Sequence, residues 1–351
     1  MPLNTGTLDI SSLLDVTFQS VAEYGLSNIE EILRDDLEAH NAIAEDMVGN
    51  LCEISTDRQR KYGASVEGEM VEVDEYGQAP TQRNAVGSTV GFPLRKFQYN
   101  LGWTSEWFKR HTPADMAKAV IGAQKAHLKR LQTDIKKAIF LSSNYTFTDH
   151  LVDNVDLAVK RLVNADSMAI PNGPNGETFT ASTHTHYNAN ATLTTTVATE
   201  LIDDVVEHGH GSMVRVAINR ANEAAWKALT GFQAYVDPRI VYRASDTPGQ
   251  TLDITRLDNR AIGLFGAAEV WVKPWVPANY SFAWDAGDPN KPLVFRQDMP
   301  EDFRGLRVAA SLESHPLYAE FMEAYFGIAV WTRTNGAVLQ FNNATYQDPS
   351  L

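Results

Sequence analysis

Gly91-Phe-Pro-Leu-Arg-Lys-Phe-Gln-Tyr-Asn100, followed after a short break by Thr112-Pro113-Ala114-Asp115 and an apolar stripe running to Leu141, is the stretch on which the fold turns. Around its first half Val90, Phe92 and Leu94, then after a one-residue slip Phe97, Tyr99, Leu101 and Trp103, alternate with period two. That is the pattern of a long strand with a bulge. In the second half Thr112 fits a helix N-cap, Pro113 the first helical position and Asp115 the first turn. Met116, Val120, Ala123, His127, Leu128, Leu131, Ile135, Ala138 and Ile139 keep to one face. The spacing predicts a helix roughly 40 to 45 Å long at 1.5 Å per residue. Lys118, Lys125, Lys129, Arg130, Lys136 and Lys137 fall largely off that stripe, either as a solvated face or as a docking surface for an acidic neighbour.

Upstream, Val66 to Tyr76 carries Glu67, Glu69, Glu72, Asp74 and Glu75, and the segment from Gly77 to Asn84, including Pro80 and Arg83, is rich in turn formers. Together with the strand ending at Trp103 this reads as a long two-stranded hairpin, acidic on one strand. A two-stranded ribbon is marginal alone. It therefore lies on another, basic surface or is a solvated edge hairpin. Before it, Ser27 and Glu30 form a capping box for a helix with Ile29, Ile32, Leu33, Leu37, Ile43, Met47 and Leu51 at helical spacing. Nothing nearby in sequence offers a face for that stripe, so its partner is a distant element or another subunit. The lone cysteine, Cys52, reads as a small buried apolar residue.

Downstream, Thr148 with Leu151, Val155, Ala158 and Leu162 predicts a second helix. A helix around Val197 to Val206, a strand from Met213 to Asn219, a helix from Ala221 to Leu229 and strands near Ile240, Ile254, Val270 to Val276, Tyr280 to Trp284 and Leu293 to Phe295 follow. The last part predicts a strand at Leu306, a helix from His315 to Tyr325, a strand from Ile328, and a hairpin at Thr334-Asn335-Gly336-Ala337. The mixture defines an α+β fold.

Of 351 residues, 30 are Lys or Arg and 44 Asp or Glu, a net charge of −14, which disfavours a general grip on nucleic-acid phosphates. With one cysteine, no disulfide or thiolate zinc cluster forms within the chain. Residues Met1 to Asp15 lack a secretory pattern, and no apolar run is long enough to cross a bilayer. His184-Thr-His186 and His208-Gly-His210 each set two imidazoles one residue apart, a spacing some metal hydrolases use on a strand. Polar loop and cap residues are the other reading of these four. The aromatics Trp271, Trp275, Tyr280, Phe282 and Trp284 are expected in the core or at subunit contacts. No nucleophile elbow, phosphate loop or dinucleotide fingerprint is present, and no catalytic residue or cofactor is assigned.

The order of helical arm, acidic hairpin, Thr-Pro helix, α+β lobe and return resembles the Hong Kong 97-type major capsid proteins of tailed phages. The local carriers are Gly91 to Asn100, Val270-Trp-Val-Lys-Pro-Trp-Val-Pro-Ala-Asn-Tyr280 and Gly327-Ile-Ala-Val-Trp-Thr-Arg-Thr-Asn-Gly-Ala-Val338. The resemblance implies an N-terminal arm at 1–65, an extended loop at 66–103, the spine helix and first part of a peripheral domain at 104–189, an axial domain at 190–295, and a return to the peripheral domain at 296–351. It implies a chain that assembles with itself into pentamers and hexamers of an icosahedral shell around double-stranded DNA, located in the virion and built in the host cytoplasm. The arm and hairpin then lie across neighbouring subunits, with Glu69, Glu72, Asp74, Arg83, Lys125 and Lys129 as contact candidates. Residues 66–94 contain no lysine, so the covalent cross-link of some members is not expected. Met1 stands close to the first helix, so a separate scaffold protein is expected in place of a cleaved scaffolding region; a portal is a further implied partner, and whether a decoration protein binds outside is left open. An encapsulin-like compartment and a His-dependent metal hydrolase are the competing readings.

Overall fold

The computed structural model describes residues 10–62, 70–78, 88–168, 170–235 and 259–351. The strands expected near Ile240 and Ile254 lie outside the described residues, as do Glu67, Glu69 and Arg83 of the hairpin.

Two short helices, α1 (Ile10–Leu14) and α2 (Val21–Tyr24), lead into α3 (Leu26–Gly49), where Ile29, Ile32, Leu33, Leu37, Ala44 and Val48 are buried. Strands β1 (Cys52–Ser55), β2 (Gln59–Tyr62), β3 (Ser88–Gly91) and β4 (Arg95–Thr104) and the short α4 (Ser105–Arg110) bring the chain to α5 (Pro113–Phe140). The α5 start is as expected: the Thr112 amide donates to Asp115 Oδ2 at 3.3 Å, with proline in the first turn. Its 28 residues make a rod of about 42 Å. The apolar stripe of α3 does find a partner in its own chain, because Leu33 and Leu37 share a core with Met116, Val120 and Leu131 of α5.

At that contact His40 Nε2 and His127 Nδ1 lie 3.0 Å apart, both rings buried. Burial first, then the neighbouring His40 ring, pushes the His127 imidazole from 6.5 down to about 4. The unfolded chain therefore takes up a proton in this window that the folded chain refuses. Stability is full above about pH 6.5 and falls as the pH drops towards 4, by about 3 kcal/mol at 1.36 kcal/mol per unit. Melting curves of His127→Gln should show a flatter dependence between pH 7 and pH 4.5 than the parent. Equal slopes in the two proteins would assign the acid sensitivity to other groups.

After α5 the chain forms a hairpin, β5 (Tyr145–Thr148) and β6 (Asp156–Val159), which corrects the helix expected from Thr148 to Leu162. Leu151 and Val155 fall at helical spacing yet are exposed; Leu157 and Val159, two apart, point inward. The Asp149 carbonyl closes the turn by accepting from the amides of Val152, Asp153 and Asn154 at 3.1 Å each. Next come β7 (Tyr187–Asn190), α6 (Thr195–Val206), β8 (Val214–Ile218), α7 (Glu223–Lys227), β9 (Phe232–Ala234), β10 (Arg260–Phe265), β11 (Ala268–Val272) and β12 (Tyr280–Asp285). Strands β13 (Leu293–Gln297), β14 (Arg307–Ser314), β15 (Leu317–Val330) and β16 (Ala337–Phe341) complete the order.

The helix expected from His315 to Tyr325 is instead the first part of β15, the longest strand described. β15 pairs with β14 and then β13 along one edge and with β4 along the other, and β1 extends this five-stranded sheet beyond β13. Gly327 sits where a Cβ would run into the Pro93 carbonyl, so only glycine allows the β3–β4 connection to press on the strand. The seven-stranded sheet has the order β7-β16-β12-β8-β11-β10-β9, with α6 across it through Val197, Leu201 and Val205. Phe282 and Trp284 stack at 5.3 Å inside the core.

Two further expectations are corrected. Asn335-Gly336 makes no hairpin, because β15 belongs to one sheet and β16 to the other. Gly336 is extended at φ −169°, and Asn335, fully buried, ties the crossing by accepting from the Asp285 amide (2.7 Å) and donating to the Asn290 carbonyl (2.8 Å). Nor does the long acidic hairpin form as drawn: β3 pairs with β2 and β4 with β15, while 70–76 is irregular.

Candidate assembly surfaces

Residues 70–78 carry Glu72, Asp74 and Glu75 beside Met70, Val71, Val73 and Tyr76, all exposed. Asp74 Oδ1 accepts from the Tyr76 amide at 3.0 Å and the Asp74 carbonyl from the Gly77 amide at 3.1 Å. Among the described residues the hydrogen bonds of this segment stay within it. An exposed ribbon that combines three carboxylates with four large apolar side chains is suited to a second surface that offers both cations and apolar cover.

Lys125 and Lys129 are exposed one turn apart on α5, and among the described residues neither has an acidic partner. Lys118 by contrast meets Asp115 at 3.3 Å, and Arg130 is held by Asp134 at 2.8 Å. The structure therefore leaves Lys125 and Lys129 as the exposed cations of that helix, unpaired among the described residues, beside the half-buried Lys136 and Lys137, without bringing them to the acidic segment of the same chain.

A third surface was not foreseen from the sequence. Among the described residues β14 pairs along one edge only, with β15, and it is exposed over most of its length, Val308 and Leu312 included. Unpaired edge groups are a template for another strand. The signal was available, since Leu306-Arg-Val-Ala-Ala-Ser-Leu-Glu-Ser314 continues the alternation beyond the point where the expected strand stopped.

Of the four paired histidines, three converge. His184 Nε2 and His186 Nε2 lie 3.1 Å and 3.0 Å from His208 Nε2, and Glu207 Oε1 lies 3.0 Å from His184 Nε2. The cluster joins the segment leading into β7 to the C-terminal end of α6. Phe179 packs on His184 and His208 with ring centres 4.5 and 4.3 Å away. Burial first, then the neighbouring rings, holds His186 well below and His208 down at about 4 from the ordinary 6.5, so both are neutral at pH 7. His210 is elsewhere, with Nδ1 on Asp288 Oδ2 (2.6 Å) and Nε2 on Thr334 Oγ1 (3.0 Å). Cys52 is buried at the start of β1, where burial pushes its thiol up and keeps it from acting as a nucleophile.

No protein-family model matches the chain, and no curated protein matches it in sequence. The fold is shared with a solved phage chain. A chain of Mycobacterium phage Patience is 18% identical and superposes with a TM-score of 0.67, covering 99% of this chain and 97% of that one. The capsid of an empty GTA particle is 10% identical over 84% of this chain and 89% of that one, with a TM-score of 0.49. The holo-SrpI encapsulin complex of Synechococcus elongatus is 11% identical over 88% and 90%, with a TM-score of 0.42.

Proposed function

We propose that this chain is the major capsid protein of a tailed phage, a structural subunit that assembles into pentamers and hexamers of an icosahedral shell around double-stranded DNA. The observation that carries the reading is the two-way, nearly complete overlap with the Patience chain at a TM-score of 0.67. The acidic 70–78 segment, the lysines of α5 and the open edge of β14 supply the self-complementary surfaces such a subunit needs. In this reading 1–65 is the arm, 66–103 the extended loop together with β4, which returns the chain to the five-stranded sheet, 104–189 the spine helix with the first part of the peripheral domain, 190–295 the axial domain and 296–351 the return. A net charge of −14 suits a wall that holds DNA without gripping it. The subunits are held noncovalently, the chain carries no catalytic centre, and a separate scaffold and a portal complete the particle in the host cytoplasm.

The test is expression of the full chain with its scaffold, followed by negative-stain electron microscopy and analysis of the particle contents. Closed shells competent to take up DNA are expected. Only compact monomers would sink the reading, and shells that co-purify an enzyme cargo would replace it with an encapsulin-like compartment.

A further inference from the structure

The histidine cluster holds more nitrogen lone pairs at short range than its own protons can satisfy. His186 Nδ1 lies 3.1 Å from the Gly336 carbonyl, which only accepts, so that nitrogen carries the hydrogen and Nε2 presents a bare lone pair to the cluster. His208 Nε2 faces both His186 Nε2 at 3.0 Å and His184 Nε2 at 3.1 Å. If His208 Nε2 donates to His186, then His184 Nε2 must be bare to avoid opposing N–H groups. It then turns a lone pair on the Glu207 carboxylate, 3.0 Å away. If His184 instead donates to Glu207, its hydrogen opposes that of His208. If His208 Nε2 is bare, it confronts the bare His186 Nε2. With three neutral rings and an ionised Glu207 no assignment of hydrogens satisfies every contact, and His186, 6% exposed, is a poor place for the imidazolium that would otherwise resolve it.

One cation satisfies all four donors together. We propose that His184, His186, His208 and Glu207 bind a single zinc-class divalent ion as a closed structural site. The four ligand atoms lie within 4.8 Å of one another. Tetrahedral zinc at bond lengths of about 2.0 to 2.1 Å separates its ligands by about 3.3 Å; three of the separations here are 3.0, 3.0 and 3.1 Å and that of His208 Nε2 from Glu207 Oε1 is 3.8 Å, so small side-chain shifts would complete the site. Three imidazoles and one carboxylate favour zinc and its transition-metal neighbours over magnesium or calcium. The supports are those of a built site: the Gly336 carbonyl fixes the His186 ring, and Phe179 covers His184 and His208. Four protein ligands leave no open position for substrate, so the ion is a clamp and not a reaction centre.

What it clamps is a long irregular stretch of the described chain. Between β6, ending at Val159, and β7, starting at Tyr187, the described residues form no helix or strand. His184 and His186 end that stretch, while Glu207 and His208 sit at the end of α6. The ion would fasten the stretch to α6 and, through His186, to the crossing between the two sheets at Gly336. Metal-binding energy then becomes folding energy of that junction.

The test uses the full-length chain made in zinc-supplemented medium and purified without chelator. Elemental analysis should find one zinc per chain, chelator dialysis should lower the melting temperature, and added zinc should restore it. Cobalt in place of zinc should give the intense visible bands of a tetrahedral site. His208→Ala should lose the metal, while His210→Gln, which changes the excluded histidine, should keep it. Should His208→Ala fail to fold, zinc titration of the chelated parent reads the same point. The proposal is overturned if the parent takes up no stoichiometric zinc and its melting temperature ignores added zinc, or if metal stays bound in both His184→Ala and His208→Ala.

Discussion

Asp149→Ala should lower stability by about 3 to 5 kcal/mol, the cost of leaving a buried charge without its partner. Asp149 is fully buried; its Oδ2 accepts from Arg296 Nη1 at 3.0 Å and forms an ion pair with the Arg58 guanidinium, whose Nε lies 3.2 Å away without hydrogen-bond geometry. Arg296, itself buried on β13, also donates from Nη1 to the Phe92 carbonyl at 2.7 Å. One carboxylate thus ties the β5–β6 turn, the five-stranded sheet, the β1–β2 loop and the β3–β4 connection. Arg58 can fall back on Asp153, reached at 2.5 and 2.7 Å, and is partly exposed. Arg296 has no such recourse, so the loss concentrates there. A cost of this size is a large share of the 5 to 15 kcal/mol that typically separates folded from unfolded chains. Denaturant midpoints of the unassembled chain measure it. The double variant Asp149→Leu with Arg296→Met should lose much less than the two single changes together, because it removes the charges as a pair. Additive losses would mean that the two residues act separately.

How far the sequence reveals such a structure depends on how local each cause is. The start of α5 was legible because cap, proline and acidic first turn lie within four consecutive residues, Thr112 to Asp115. β15 was not, because β4, β13 and β14 all pair with it and much of it is buried on both faces. Its apolar residues therefore show no clean period of two, as fully buried strands do not. The Thr148 hairpin was hidden by a chance helical spacing, and its turn is anchored by Arg58 and Arg296, both far off in the chain. Asn335-Gly336 has the composition of a tight turn, but the amide of Asn335 serves Asp285 and Asn290 in a crossing that only the assembled sheets define. Among the site residues, the His-x-His spacing was legible twice. That His208 joins His184 and His186 while His210 turns to Asp288 and Thr334 depends on where α6 ends against the β15–β16 crossing, which no local pattern encodes.

Reversing charge at the acidic segment, with Glu69→Lys, Glu72→Lys and Asp74→Lys together, should abolish shell formation while leaving the chain folded. Glu72 and Asp74 are exposed, and the hydrogen bonds described for 70–78 remain inside the segment, so the fold should move by no more than about 0.5 kcal/mol. Assembly is another matter. A carboxylate meeting a lysine of the next subunit at about 4 Å gains roughly 1 kcal/mol in water and up to about 4 near a partly desolvated surface, and reversal turns each gain into a repulsion of similar size. The same contact recurs at equivalent interfaces around a closed shell, so a modest change per pair becomes decisive for the particle. Lys125 and Lys129 are the cations of α5 left exposed and without an acidic partner among the described residues, which makes them the natural counterpart. Lys125→Glu with Lys129→Glu should therefore block assembly alone and restore it when combined with the triple reversal. Sedimentation separates shells from free subunits, and raising salt should weaken the parent contact by screening. Normal shells from the triple reversal would remove the acidic segment from the interface, and failure of the combined variant would place its basic partner elsewhere than on α5.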